Sequence, residues 1–515
     1  MLAISFFAQT WSTSHDLPGP VHLKAVESKI NVNGKEASIF ALKPNLLSMN
    51  GSDSNSFPLE ARKNKGVILE NMTPLFSEPR VRTSREKIIS NLTTFIGSKL
   101  GLKQADGTFG LKIKSGDSFN VVLENELTIP TSIHWHGLIL PNNQDGVGFI
   151  TQFPIYPGES YHYQFPIVQS GTFWMHSHMG LQEQMLLSAP LILYGPEDSS
   201  IADQEAVIFL VDFSFKSPFK IYEDLRKNCK KSTDTSSMNS RPDIVEVDYD
   251  AFLANGRTLD NPEIVHVEAG KKVRLRLING SSATNFFISL GDLEGDAIAV
   301  DGNRIIPLHG SAFELATAQR IDIIVQIPDG ENAFPILAQG EGTNKQAGIV
   351  LSTKNAQIPR LNEKTERTAG SLTNRQEVLL RAIVPLKEKA IDRHVAIELG
   401  GNMADYLWTL NGQSWPASTP VIVEEGERVE IIFKNVSKMS HPMHLHGHVF
   451  QVTSIDGKEI KGAMRDTILV LPNSSIAIQF DADNPGVWPL HCHVLYHLES
   501  GMMTVVRYKN FIQPL

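Results

Sequence analysis

A ten-residue pattern that occurs three times limits what this chain can fold into more than any other feature of the sequence. Residues 116–125, 270–279 and 426–435 each begin with Gly, have apolar residues at the fourth, sixth and eighth places and end with Asn. Such alternation is typical of a strand with one buried face, and the leading Gly is typical of a tight turn. The copies lie 154 and 156 residues apart, which predicts one folding unit used three times.

Each copy follows another short stretch of alternating residues, at 111–114, 265–268 and 421–424. Short strands separated by turns predict an all-β fold of three β-sandwich domains with Greek-key connections. A chain of 515 residues is long enough for three such domains. The expected segments are a candidate signal at residues 1–20, a first domain at 21–197, a second domain at 198–370 and a third domain at 371–515.

An insertion in the first domain, at about residues 45–105, departs from the β pattern. Thr83 and Glu86 have the spacing of a helix capping box, and apolar residues follow from 88 to 100 at helical spacing. The sequence therefore predicts a partly helical insertion that packs on the surface. A gate over an active site is the alternative role for it.

The composition is that of a soluble globular protein, because 41% of the residues are hydrophobic and 20% are charged. A net charge of −9 argues against nucleic acid as a partner, and no run of 18 apolar residues is available to span a bilayer. Residues 1–8 resemble the apolar part of a secretory signal, which favours a periplasmic or secreted protein over a cytoplasmic one. Cys229 lies among polar residues and is predicted to be an isolated surface thiol; we expect a monomer.

Histidines occupy equivalent places in the first and third domains. His134 and His136 form a His-x-His pair that starts nine residues after the Asn of the first repeat. His444 and His446 form another, nine residues after the Asn of the third repeat. The same offset in the second domain gives Ile288-Ser-Leu, which offers no metal ligand. The first and third domains are therefore predicted to carry matched halves of one site, with the second domain as a spacer.

Each of these two domains contains a second His-x-His pair, His176 with His178 and His491 with His493. Alternate residues of a strand point to the same face, so each pair presents two imidazoles together. Eight imidazoles can hold three metal ions between the two domains. Ligation by imidazole alone suits copper better than magnesium or calcium, which prefer oxygen ligands.

Cys492 lies between the histidines of the last pair and should therefore face the opposite side of the strand. There it can join His441, His497 and Met502. Two imidazoles, a thiolate and a weak axial thioether make a blue-copper electron-transfer site. One peptide link on either side of Cys492 would connect this copper to the histidine cluster.

These motifs resemble those of the multicopper oxidases, which include laccases, cuprous oxidases and bacterial copper-tolerance oxidases. The resemblance extends from about residue 105 to residue 508. It implies three cupredoxin domains and an enzyme that couples four one-electron oxidations of a reducing substrate to the reduction of dioxygen to two waters. The implied ligands are His441, Cys492 and His497 with axial Met502 for the type 1 copper; His134 and His444 for the type 2 copper; and, for the type 3 pair, His136, His176 and His493 on one ion and His178, His446 and His491 on the other.

The resemblance also suggests roles for two further histidines. In the family, the imidazole that matches His497 lies near the surface and receives the substrate electron. His448 resembles a histidine that is not a ligand but lies beside the third motif.

Two other functions compete with this interpretation. A copper nitrite reductase has one type 1 and one type 2 copper, and it needs neither the pair at 176–178 nor a third domain. A copper carrier, or a copper-free relative, would be expected to have lost ligands, yet every expected ligand is present.

The sequence leaves the reducing substrate open. Five methionines lie close to the histidine motifs, and thioethers favour Cu(I), which would make cuprous ion the substrate. Soft core packing is an equally good reason for methionines in these places, and phenols and aromatic amines fit the family equally well. These methionines are Met175, Met179, Met185, Met439 and Met443.

The chain lacks two acids that relatives use to supply protons. Leu498 stands where many bacterial enzymes of the family have Glu, and Leu495 stands where fungal laccases have Asp. Asp145 matches the family acid beside the type 2 copper. Glu499 replaces the bacterial Glu if the loop before Gly501 turns it inward, and is a solvent-facing carboxylate otherwise. Asp145 and Glu499 are therefore the predicted proton donors.

Overall fold

A computed structural model describes residues 19–45, 102–228 and 246–512. Strands account for 49% of the structure and helices for 6%, which confirms the predicted all-β fold. The predicted helix in the insertion, Cys229 and nearly all of the candidate signal segment lie outside the described residues. No helix in the described ranges is long and apolar enough to cross a membrane.

The first sandwich consists of one sheet in the order β2-β1-β5-β7 and another in the order β3-β4-β9-β8-β6. A short 3₁₀ helix spans Asn142–Gln144. The strands are β1 (Val21–Val32), β2 (Lys35–Pro44), β3 (Leu102–Lys103), β4 (Phe109–Lys114), β5 (Ser118–Asn125), β6 (Ile133–His136), β7 (Ser160–Pro166), β8 (Gly171–Ser177) and β9 (Ser188–Tyr194).

The second sandwich has sheets in the orders β11-β10-β13-β18-β15-β16 and β12-β20-β19-β14-β17. Helix α1 (Asp198–Ile201) precedes it, and helix α2 (Pro218–Asn228) follows its first strand. The strands are β10 (Gln204–Phe213), β11 (Ala251–Ala254), β12 (Glu263–His266), β13 (Lys272–Asn279), β14 (Phe286–Ser289), β15 (Gly295–Val300), β16 (Asn303–Gly310), β17 (Ala312–Leu315), β18 (Arg320–Gln326), β19 (Ala333–Gly340) and β20 (Gln346–Ser352).

The third sandwich has sheets in the orders β22-β21-β24-β30-β26-β27, with β28 beside β26, and β23-β32-β31-β25-β29. Helix α3 (Arg375–Leu379) precedes it, and α4 (Leu495–Glu499) lies between its last two strands. The strands are β21 (Arg393–Asn402), β22 (Leu407–Leu410), β23 (Val421–Val423), β24 (Arg428–Asn435), β25 (His441–Leu445), β26 (Phe450–Ile455), β27 (Lys458–Glu459), β28 (Met464–Arg465), β29 (Thr467–Val470), β30 (Ser475–Asp481), β31 (Val487–Cys492) and β32 (Met503–Tyr508). The exact domain boundaries remain a prediction.

The three repeats form the equivalent strands β5, β13 and β24. Each strand begins two residues after the repeat's Gly, and these glycines have φ between +72° and +87°, where a side chain would be strained. Each strand also pairs in parallel with the first long strand of its sandwich and antiparallel with a later one. The repeat is therefore the same structural unit in all three sandwiches.

The Asn that ends each repeat determines where the next strand starts. The side-chain amides of Asn125, Asn279 and Asn435 each donate hydrogen bonds of 2.7–3.1 Å to two main-chain carbonyls. Each side-chain oxygen accepts the main-chain N–H two residues later. All three side chains are buried, so these bonds fix the loop in one conformation. The loops lead into β6, β14 and β25, which explains why the first and third histidine pairs share one offset.

Candidate metal centres

The four His-x-His pairs meet where the first and third sandwiches face each other. Strand β6 pairs with β8 so that His134 lies opposite His176, and β25 pairs with β31 so that His444 lies opposite His491. Across the interface, the ring centroids of His136 and His444 are only 3.8 Å apart. The members of this eight-histidine cluster are His134, His136, His176, His178, His444, His446, His491 and His493.

Ring nitrogens in this cluster come close enough to share metal ions. The Nε2 atom of His491 is 2.9 Å from Nε2 of His446 and 3.4 Å from Nε2 of His178. Within the described residues, five of the eight rings have a buried nitrogen without a hydrogen-bond partner. An unpaired buried polar atom costs free energy, so a metal ion is the partner that fits these rings. These atoms are Nε2 of His134, His176, His444 and His493, and Nδ1 of His136.

Burial also keeps the cluster in the protonation state that binds metal. The pKa of His491 is lowered to about 4, mainly because burial disfavours the charged ring. Desolvation and neighbouring histidines hold the pKa of six others well below its usual range. A neutral imidazole offers a lone pair to a metal, whereas an imidazolium cannot.

In several cluster rings, one nitrogen faces away from the other histidines and contacts an oxygen atom. This contact orients the ring so that its second nitrogen points toward the other histidines. Nδ1 of His134 donates to the main-chain carbonyl of Asp145 at 2.8 Å, and Nδ1 of His446 donates to the Asp145 carboxylate at 2.9 Å. Nδ1 of His176 lies 2.8 Å from the carboxylate of Glu183. His136 has the reverse orientation, because its Nε2 lies 3.2 Å from the Asp466 carboxylate and its Nδ1 faces the cluster.

Cys492 forms a separate centre with His441 and His497, which we call the cysteine centre. The Cys492 Sγ is 3.6 Å from Nδ1 of each histidine, and the two Nδ1 atoms are 3.2 Å apart. The three atoms form a triangle of the size expected for ligands that surround one metal ion with bonds of about 2.0–2.3 Å. Burial raises the pKa of the Cys492 thiol, so a thiolate here requires a metal cation beside it.

Met502 adjoins the cysteine centre through the main chain. Its N–H donates to the carbonyl of His497 at 3.0 Å, and its carbonyl accepts the N–H of Cys492 at 3.1 Å. Met502 is fully buried with Cys492 in the main core, whereas Met503 packs in a smaller cluster with Val487 and Val505. The structure therefore places Met502, and not Met503, on the side of Cys492.

His497 differs from the family expectation, because its side chain is fully buried rather than near the surface. Its Nε2 donates to the Glu246 carboxylate at 3.1 Å, and the Trp408 ring covers it with centroids 4.0 Å apart. Tyr406 donates its hydroxyl to the same carboxylate at 3.0 Å. The His497 ring is therefore separated from solvent by the neighbouring side chains.

Glu246 lines a pocket that we call the substrate cavity. Asp248, Lys345 and Met439 also line it. Among the described residues, the Oε1 atom of Glu246 is buried without a hydrogen-bond partner.

A second pocket, which we call the cluster cavity, is lined by His178, His491 and His493. Glu183 and Glu499 line it. Glu183 is buried, and desolvation raises its pKa well above the usual range. Glu499 is the last residue of α4 and is exposed. It also lines the cluster cavity, so it faces the space that leads to the cluster.

Asp145 and His448, two further residues singled out by the sequence, lie beside the cluster. Asp145 is completely buried between His134 and His446. Both ring nitrogens of His448 are occupied, Nδ1 by the His446 carbonyl at 3.0 Å and Nε2 by the Tyr508 hydroxyl at 2.7 Å. His448 therefore has no nitrogen left for a metal.

Sequence reasoning missed three acids that touch the histidines: Glu183, Glu246 and Asp466. None of them belongs to a repeated motif, and two of the three contact a histidine from another part of the chain. Glu183 offered the only local signal, as a charged residue between Gln182 and Gln184 soon after the pair at 176–178.

Comparison with known proteins identifies the family of the chain. Family models described as multicopper oxidase match residues 108–198, 205–360 and 390–511. The chain is 32% identical over 406 residues to "Multicopper oxidase MmcO" of Mycobacterium tuberculosis (76% of this chain, 80% of that protein). It is 27% identical over 531 residues to "Copper resistance protein A" of Escherichia coli (77% of this chain, 87% of that protein).

Among solved structures, the fold is similar to that of Fet3p, described as a multicopper oxidase that functions in iron import. The TM-score is 0.71 at 20% identity, over 95% of this chain and 90% of that one. The sequence match, the repeated sandwiches and the histidine geometry agree. The chain belongs to the multicopper oxidase family, and it is an oxidoreductase that holds four coppers and couples oxidation of a reducing substrate to reduction of dioxygen.

Proposed function

We propose that the two centres hold the four coppers in the arrangement that the motifs imply. The observation that carries this proposal is the set of buried ring nitrogens that lack hydrogen-bond partners in the described cluster. The coppers supply one-electron transfer at the cysteine centre and four-electron reduction of dioxygen at the cluster. The assigned ligands are His441, Cys492, His497 and Met502 for type 1; His134 and His444 for type 2; and His136, His176 and His493 with His178, His446 and His491 for the type 3 pair.

The protein's own contribution is to connect the two centres and keep them dry. His491 and His493 belong to the cluster, and Cys492 between them belongs to the cysteine centre, so one peptide link on each side joins the centres. All three side chains are buried. Electrons thus have a short covalent route, while bulk water is excluded from Cys492.

We assign proton supply to Asp145 and Glu499. Asp145 holds two cluster rings by hydrogen bonds, which places its carboxyl beside the site of oxygen reduction. Glu499 borders the cluster cavity at its exposed side, so it can exchange protons with solvent and pass them to water inside. Proton delivery by a positioned carboxyl is general acid catalysis.

For the reducing substrate, we propose phenols and aromatic amines bound in the substrate cavity. The unpaired Oε1 of Glu246 accepts a hydrogen bond from the phenol O–H or amine N–H, and takes that proton when the electron leaves. The other carboxylate oxygen contacts Nε2 of His497 and so joins the substrate to the cysteine centre. Cuprous ion is the second candidate, because the Met439 thioether lines the same cavity and Cu(I) favours thioether ligands.

Substitution of Glu246 distinguishes the two substrates. Glu246→Gln should lower kcat/KM for a phenol by about 10- to 100-fold, since a hydrogen bond to a charged acceptor is worth about 1.5–3 kcal/mol. Met439→Leu should leave phenol oxidation unchanged and lower the rate with Cu(I). The measurement is steady-state oxygen uptake with each substrate under identical conditions.

Asp248→Asn is the matched control, because Asp248 lines the same cavity but is exposed and pairs with Lys345. It should leave both rates within about twofold of wild type. Equal phenol kinetics in Glu246→Gln and wild type would show that phenols do not bind beside Glu246.

The axial position gives a separate prediction about the cysteine centre. Loss of a weak axial thioether favours Cu(I) over Cu(II), so Met502→Leu should raise the type 1 reduction potential. We expect a rise of roughly 60 mV or more, which is about a tenfold change in the redox equilibrium. Redox titration of the visible band measures it, and Met503→Leu is the control. A larger shift in the control would mean that the axial ligand is Met503.

We also propose that the enzyme works outside the cytoplasm as a monomer. The apolar stretch at residues 1–8 supports export. Cell fractionation with N-terminal sequencing, and sedimentation of the purified enzyme, test the two statements; purely cytoplasmic or oligomeric protein would contradict them.

A further inference from the structure

The second sandwich contributes no histidine to either centre, yet one of its side chains lies directly behind the cluster. Arg320, the first residue of β18, is fully buried. Its two terminal nitrogens donate to the two carboxylate oxygens of Asp466, at 2.7 and 2.5 Å. This two-point geometry fixes the plane of a carboxylate as well as its position.

Arg320 joins all three sandwiches. Its Nε donates to the carbonyl of Thr172 at 3.1 Å, and one terminal nitrogen also donates to the carbonyl of Ala318 at 3.2 Å. Thr172 lies in β8 of the first sandwich, the strand that carries His176, and Asp466 directly precedes β29 of the third. A single guanidinium therefore ties the second sandwich to both halves of the cluster.

Asp466 in turn contacts two cluster histidines. Its carboxylate lies 3.2 Å from Nε2 of His136, and its carbonyl accepts the Nδ1–H of His444 at 2.8 Å. The Thr467 hydroxyl donates to the same carboxylate at 2.9 Å. His136 is the ring that presents Nδ1 to the cluster, and its Nε2 lies 3.2 Å from both the Asp466 carboxylate and the Thr467 hydroxyl, which hold the ring in this orientation.

The Asp466 carboxylate lies on the outer side of the cluster. Its Oδ1 atom is 3.2 Å from Nε2 of His136 and 3.8 Å from Nδ1 of His444, and these are the nitrogens that face away from the other rings. The carboxylate can therefore act on the coppers only through the rings that it holds.

We propose that Arg320 is a positioning residue for the type 2 and type 3 coppers: it directs the Asp466 carboxylate onto Nε2 of His136, so that this ring presents Nδ1 to the metals. This inference rests on the ligand assignment proposed above. It gives the second sandwich a part in building the cluster in addition to separating the other two sandwiches.

The test compares Arg320→Met with Arg276→Met. Arg276 is also fully buried in the second sandwich and donates to the Thr172 side chain at 3.0 Å, but its carboxylate partners are Glu205, Asp198 and Asp322. Loss of a group that orients a metal ligand typically costs 10- to 100-fold in metal affinity. Arg320→Met should therefore release type 2 and type 3 copper to a chelator at tenfold lower concentration than wild type and keep its blue band. Arg276→Met should retain all the coppers.

The type 2 EPR spectrum provides a readout that a merely structural role would not change. Arg320→Lys, which keeps the charge but not the two-point geometry, should alter the type 2 hyperfine splitting while the protein stays folded. If Arg320→Met fails to fold, Arg320→Met/Asp466→Asn removes the unpaired buried charge. That double variant should lose no more copper affinity than Asp466→Asn alone, because the two side chains act as a unit.

Unchanged EPR and copper retention in Arg320→Lys and Arg320→Met would overturn the proposal, as would equal copper loss in Arg276→Met or additive losses in the double variant. A wild-type protein without type 2 and type 3 copper would instead contradict the ligand assignment.

Discussion

Cys492→Ser is expected to remove the blue absorption band and stop turnover, while the cluster keeps its three coppers. A serine hydroxyl does not ionise to replace the thiolate, whose bond to copper produces the band and fixes the trigonal site. His491 lies on the opposite face of β31 from Cys492. Other cluster rings lie outside β31 and keep their own hydrogen bonds, His446 to Asp145 and His136 to Asp466. Copper analysis should therefore fall from four ions per protein to three, with the type 2 EPR signal retained.

Met443→Leu is the matched control for this experiment. Met443 is buried directly opposite Cys492 in the pairing of β25 with β31, but it is not an assigned ligand. It should keep the blue band and all four coppers. A blue Cys492→Ser protein would show that another residue supplies the thiolate-like ligand, and loss of every copper would show that the two centres do not fill independently.

Asp145→Asn is expected to lower kcat by about 10²-fold with the blue copper intact, the low end of what a positioned general acid contributes. Cleavage of the O–O bond requires protons in a site closed to bulk water. Asparagine has nearly the same shape as Asp145 and keeps an acceptor oxygen for the Nδ1–H of His446, but it cannot supply a proton. Glu499→Gln should act in the same direction by a smaller factor, because Glu499 is exposed at the cavity wall.

Both variants are compared with wild type at equal copper content, measured by copper analysis and by the type 2 EPR signal, so that lost metal is not mistaken for lost proton transfer. Stopped-flow reoxidation of the reduced enzyme isolates the oxygen step from substrate oxidation. Wild-type rates in both fully loaded variants between about pH 5 and pH 8 would mean that water alone carries the protons.

The fold could be predicted from the sequence because the residues that determine each repeated strand are neighbours in the chain. Glycine at a positive φ, alternating apolar residues and a terminal Asn all lie within ten residues, and each has one structural consequence. The predicted cluster ligands also lie in short motifs on neighbouring strands or directly after them. A His-x-His pair needs only the alternation of a strand to present both rings to one face.

The groups that orient these ligands could not be predicted, because their partners are far apart in the chain. His136 and Asp466 are separated by 330 residues, and His497 and Glu246 by 251. Arg320 reaches Asp466 from the second domain, which was predicted to be only a spacer because it lacks the His-x-His pair. The burial of His497 could not be predicted for the same reason, because the residues that cover it are distant in the chain. Glu246 comes from the second sandwich and Trp408 from a separate strand of the third.

The division of the cluster between the first and third sandwiches has a consequence for biosynthesis. Residues 134–178 emerge from the ribosome long before residues 444–493, so the early half exposes four imidazoles that cannot yet share an ion with their counterparts. An ion held by histidines of both sandwiches requires the docked arrangement, so its binding free energy adds to the contact between the sandwiches. Copper in the cluster therefore stabilises the contact between the first and third sandwiches, and loss of copper should weaken that contact.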